Sequence, residues 1–262
     1  MKVIRPNCRA HFTPADFAFI SANLPQGRGL PPSGDKPVAD GRWIFRLMGD
    51  SGSLDIMLDN PSLFRSLLEL KGCLPVSLHF YFYVLVRHVL LKEDIRDKEV
   101  ADYVAEVLAE FASHQRWRRP ESEESQPMDY FHELLAAAEQ ADEQKRFGML
   151  AHIGNYALFL AGLFPHHLMH RAERRAAPNF NFYEEMGASH FRLAGGHYLA
   201  RKFDLAPVLL TLGKAFRLTR VALNHLSEKL VFLETHSAVQ DLLREIDSPD
   251  GPASRSRPPG RK

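Results

Sequence analysis

The stretch from Phe147 to Arg175 constrains the fold more than any other part of the chain. It reads F-G-M-L-A-H-I-G-N-Y-A-L-F-L-A-G-L-F-P-H-H-L-M-H-R-A-E-R-R, an apolar run that breaks at Pro165 and turns basic. Helical spacing places His152, Asn155, Tyr156 and Phe159 along one side, with Gly154, Ala157 and Ala161 as a stripe of small residues on another. A helix apolar on nearly all faces belongs at the centre of a helical fold. Its polar side chains then need partners inside that fold. The small stripe lets a second helix approach closely, from the same fold or from a second copy of the chain.

The rest of the chain supports an all-helical reading. With 262 residues there is room for one large domain or two small ones. Thr13-Pro14 has the form of a helix start running to about Leu24. Residues 24–41, with four prolines and four glycines, read as a loop or strap. Further helix starts are expected at Asp40, Ser53 and Asn60-Pro61, the last running to Lys71 with Gly72 as its C-cap. Pro75–Leu91 is rich in aromatic and β-branched residues, which favours a strand, but its length without turn residues favours a helix. The helical neighbours decide for helix. Its His79, Arg87 and His88 would be costly in a membrane span, so it is read as a core helix.

Asp97 caps an amphipathic helix whose apolar face is Val100, Tyr103, Val104, Val107, Leu108 and Phe111. The polar segment 116–127 is the best internal boundary. Helices follow near 128–140, 142–164, 180–194, 197–203 and 207–234, the last with a break near Gly213, and a short one at 237–246. The tail 247–262 has no large apolar residue and is expected to be a disordered basic tail. No run alternates as a sheet requires. The expectation is an all-α domain over 1–246 of nine to eleven helices, one domain being favoured over two halves split near Arg119.

Charge and cysteine usage narrow the function. The net charge is +1, and the tail supplies the excess, so the body has no global field for nucleic acid or an anionic membrane. Cys8 and Cys73 form no CxxC pair and are expected to be thiols in a reducing compartment. The start, MKVIRPNCRAHF, lacks the apolar run of a signal peptide, so a cytoplasmic protein without a membrane partner is expected.

Three candidate sites stand out. The first joins His152 with Tyr183, Glu184, Glu185 and His190, where a buried glutamate beside a buried histidine could move protons or bind a metal. Glu184 and Glu185 point about 100° apart, so at most one faces the core squarely. No H-E-x-x-H or paired E-x-x-H signature supports a metal, and an ion pair holding two helices together is the plainer reading. The second is His166-His167-x-x-His170, with metal-ligand spacing but a cationic surround of Arg171, Arg174 and Arg175 that repels a cation. The third takes the same histidines and arginines, with Arg116, Arg118 and Arg119 around Trp117, as a basic surface for phosphates or an acidic partner. A solvated basic face is the plainer reading.

Nucleophilic catalysis has little support. No G-x-S-x-G elbow is present, Cys8 is expected in a mobile N-terminus, and Cys73 follows a helix C-cap, where the dipole disfavours a thiolate.

The words H-I-G-N-Y-A-L-F-L-A-G-L-F-P and Y-E-E-M-G, with F-Y-V-L-V-R-H and A-D-Y-V-A-E-V-L-A-E-F upstream, resemble a group of bacterial all-helical proteins with no assigned activity. The resemblance covers roughly residues 75–233 and implies a bacterial cytosolic protein, without naming a chemistry.

The function expected from the sequence is that of a helical binding or regulatory module with a protein or small-molecule partner, able to self-associate, with no cofactor named by the sequence. The alternative is a metal-binding or acid–base enzyme centred on His152 with Glu184 or Glu185, and Tyr183, Tyr156 or His190 assisting. A second alternative is nucleic-acid binding through the basic surface.

Overall fold

The computed structural model describes residues 3–24, 51–70, 74–112, 127–175 and 178–227. Among them the helical elements are a 3-10 turn, Cys8–His11, and eleven α-helices, and no strand occurs. These are α1 (Pro14–Asn23), α2 (Ser51–Leu58), α3 (Pro61–Leu68), α4 (Leu78–Lys92), α5 (Lys98–Ala112), α6 (Pro127–Gln140), α7 (Glu143–Leu163), α8 (Pro165–Arg175), α9 (Phe180–Gly196), α10 (Tyr198–Lys202) and α11 (Ala206–Ser227). The expected all-α class holds. The Asp40 and Ser237 helices, the Gly72 cap, Cys73, the strap, the linker up to Gln126 and the tail lie outside the described residues.

Contacts gather in two compact units, dividing between Ala109 and Glu110, just before the segment marked as the internal boundary. In the unit of residues 4–109, α4 is central. Every side chain from Phe80 to Leu90 is buried, so the run that hesitated between strand and helix is a helix enclosed on all faces. Its start and that of α1 share one residue. The fully buried Asp16 accepts from Thr13 N at 2.6 Å, completing the α1 cap, and from Ser77 N and Oγ, both at 2.7 Å. Ser77 Oγ in turn accepts from Phe80 N at 3.1 Å as the N-cap of α4. Arg87 reaches Asp59 with Nε at 2.8 Å and Nη2 at 3.1 Å, and its Nη1 donates to the Arg96 carbonyl. The two turns between helices are thereby tied to α4.

In the unit of residues 110–224, α7 is central and buried from Leu150 to Leu163. The small-residue stripe is filled from within this unit. A Cβ on Gly154 would sit 2.7 Å from the Phe191 ring, and one on Gly187 would sit 3.1 Å from Ala157 Cβ and run into the Phe216 ring. Helices α7 and α9 are therefore antiparallel, with 154 beside 191 and 157 beside 187. Helix α11 packs antiparallel on α9 through Gly195 with Leu210 and Gly213 with Arg192. The break expected near Gly213 is present as a kink at Ala215. Arg192 Nη1 donates to the Gly213 carbonyl at 2.9 Å, an intrusion of the kind that bends helices.

One local expectation needs correction. The basic residues after Pro165, where the expected helices left a gap between 164 and 180, form a helix, α8, for which Pro165 supplies the pre-set first position. Its anchor is Leu168, buried beneath the exposed His166 and His170.

Candidate functional site

The structure does not bring His152 and the two glutamates together. The antiparallel register of α7 and α9 sets Glu184 opposite residues 160–161, eight or nine residues from His152, or about 12 Å along the axis. Glu184 Oε1 instead accepts from Arg220 Nε at 2.7 Å. Arg220 also donates to Asn224 Oδ1 and lies over the Phe180 ring. Asn224 Nδ2 donates to the Ala161 and Gly162 carbonyls at 2.7 and 2.8 Å, at the end of α7. This chain of contacts ties α7, α9 and α11 together. Glu185 is exposed.

His152 is enclosed by aromatic rings. Phe111 stacks on it at 5.6 Å and on Tyr156 and Phe159 at 6.2 and 4.9 Å, which realises the expected side of His152, Tyr156 and Phe159. Tyr183 packs its ring on Phe131 and Phe182. His190 is buried with Nδ1 2.8 Å from the carbonyl of Met186 in its own helix, and burial pushes its pKa below the usual imidazole value. Of these five residues, His152, Tyr183 and His190 are packed core, Glu184 is half-buried in its ion pair and Glu185 is exposed.

The other two candidates resolve less. His166 and His170 are exposed and His167 is half-buried, and no metal-ligand group forms around them among the described residues. Arg116, Arg118, Arg119 and Trp117 lie outside the described residues, as do the side chains of Arg171, Arg174 and Arg175.

The chemistry-bearing cluster is in the other unit. His11, His79 and Glu106 each present a ligand atom, all within 4.8 Å of one another. They come from three elements: the 3-10 turn, the first turn of α4, and the buried middle of α5. The two imidazole rings lie 4.6 Å apart at 31°, and His79 Nε2 is 3.6 Å from Glu106 Oε2. The Glu106 side chain is 6% exposed against 29% for His79, and His11 is exposed, so the cluster runs from the core outward. A carboxylate at that depth is costly without positive charge beside it.

A second acid on the same stripe of α5 aims the cluster. Asp102, one turn before Glu106 and 1% exposed, accepts from Cys8 N at 2.5 Å and from Arg9 Nε at 2.7 Å. Arg9 spreads to Asp55 and Glu99 at 3.3 and 3.2 Å, with Lys98 also on Asp55, and stacks over Tyr83. Cys8 Sγ donates to the His79 carbonyl at 3.2 Å. The 3-10 turn is thereby fixed at both ends of Cys8, and His11 follows three residues on, with Asn7 Nδ2 3.3 Å from its Nε2. The expectation of a mobile Cys8 is corrected: it is fully buried, and burial with Asp102 and Glu106 nearby pushes its thiol pKa up, leaving it an unreactive thiol.

Sequence reasoning passed over this site because its members are 68 and 27 residues apart in the chain and belong to no motif. The one available signal was Asp102 and Glu106 at i and i+4 in a helix expected to be amphipathic; α5 is in fact buried on every face from Val100 to Ala109.

No helix among the described residues is long and apolar enough to cross a membrane. Comparison with family models, with curated proteins and with solved structures found no match.

Proposed function

We propose that the protein is a helical metal-binding protein and that His11, His79 and Glu106 hold a divalent transition-metal ion. The observation that carries this reading is the convergence of two imidazoles and one buried carboxylate, within 4.8 Å, from three separate elements. Donors on one tetrahedral ion stand about 3.4 Å apart, given bonds of about 2.1 Å. The His79–Glu106 separation of 3.6 Å is already close to that, and the exposed His11 closes the remainder by rotating its ring. Two nitrogens and one oxygen select zinc or a neighbouring first-row ion over calcium or magnesium, which prefer all-oxygen shells. The wider expectation of a binding module is kept, with the cation as what is bound, and the metal reading moves from His152 to α4 and α5.

The test is calorimetric titration of chelator-treated protein with Zn²⁺. One ion per chain is expected. His79→Ala and Glu106→Gln should each weaken binding by more than the roughly 10–100-fold that loss of an outer partner costs. Unaltered affinity in both variants, or no uptake by the parent, would sink the reading.

A further inference from the structure

The same three residues leave a metal ion incompletely surrounded, and we infer that the centre carries an exchangeable coordination position that takes an oxyanion, a carboxylate or phosphate group. The inference rests on the metal-binding reading above. Structural zinc sites are closed by four protein ligands, whereas two histidines and one glutamate are a three-ligand set that leaves a position for water or substrate. Among the described residues no fourth His, Cys, Asp or Glu joins the group. Cys8 Sγ donates to the His79 carbonyl, and Asp102 is taken up by Cys8 N and Arg9.

The gradient of burial says which side is open. Glu106 is the inner ligand, His79 is partly exposed and His11 lies at the surface. A donor arriving from solvent meets the ion on the imidazole side. A divalent ion with one carboxylate keeps a net positive charge, so a negatively charged oxygen ligand is favoured over a neutral one. The surrounding carboxylates are largely matched: Asp102, Asp55 and Glu99 converge on Arg9, and Asp55 also on Lys98, so two of their three negative charges are paired.

The experiment uses the full chain loaded with Co²⁺, whose visible d–d bands report the ligand set. Azide is the probe, added in excess, followed by acetate or inorganic phosphate in competition. The expected result is a saturable shift of the bands with azide, reversed by one oxyanion or both. Reversal by acetate alone assigns a carboxylate ligand, and reversal by phosphate alone assigns a phosphate. His11→Ala, a change at an exposed position, should retain the fold by circular dichroism and alter the spectrum before azide is added. Stoichiometric, His79-dependent Co²⁺ binding with bands that azide does not move would overturn the open position and leave the metal-binding reading standing. A band shift with azide that neither oxyanion reverses would overturn the ligand class. Failure to take up Co²⁺ at all would overturn both.

Discussion

Asp94 and Asp204 sit in the left-handed backbone region, with φ of 59° and 56°. Each follows the last turn of a helix, α4 and α10, and each begins the same closing motif. The next residue donates back to the third-last helical carbonyl, Ile95 N to Leu90 O at 2.9 Å and Leu205 N to Ala200 O at 2.7 Å, and buries its side chain. Glycine reaches this conformation without the Cβ penalty, so the aspartates trade stability for a polar side chain. The Asp94–Arg96 pair does not repay the cost, since both side chains are 81% exposed. Asp94→Gly and Asp204→Gly should each stabilise the fold by about 0.5–1 kcal/mol, read as a higher urea midpoint with an unchanged slope.

At the scale of the element, the end of α7 depends on a side chain from another helix. Backbone acceptors in the last turn of a helix have no partner of their own, and Asn224 of α11 donates to two of them, Ala161 and Gly162. Asn224→Ala should cost about 1–3 kcal/mol, because the carbonyls lose their donor while Arg220 loses an acceptor. Denaturant unfolding measures it, and a change within error would show that water serves the carbonyls as well. Elements of this kind were readable in the sequence where a local signal existed. Thr13-Pro14, Asn60-Pro61 and Asp142 start their helices as capping chemistry requires. The buried all-apolar run of α7 was equally plain. The pairing of helices was not, because the register of α7 on α9 follows from how Phe191 fits against Gly154, a contact with no trace in either segment alone. The same limit hid the metal-ligand cluster and sent Glu184 to His152 in place of Arg220.

At the scale of the whole chain, each unit buries a histidine against its preference. His88 stacks on Phe64 at 4.8 Å, and burial lowers its pKa; His190 is lowered for the same reason. A lowered folded value means the unfolded chain binds more protons below about pH 6.5, so stability is full above that pH and falls as the pH drops. Urea midpoints measured in EDTA, which keeps proton competition for a metal out of the result, should decline from about pH 7.5 to about pH 5. His88→Gln with His190→Gln should flatten that decline, and an equal slope in parent and double variant would show that the two imidazoles do not drive it. Asp16 bears on how the first unit comes apart. One carboxylate completes the beginnings of two helices 64 residues apart, at Thr13 and at Ser77, and each beginning lacks an acceptor without it. Neither α1 nor α4 can fray at its start without exposing the other, so the two open together as one cooperative step, and the amides of Thr13 and Ser77 share a single free energy of opening.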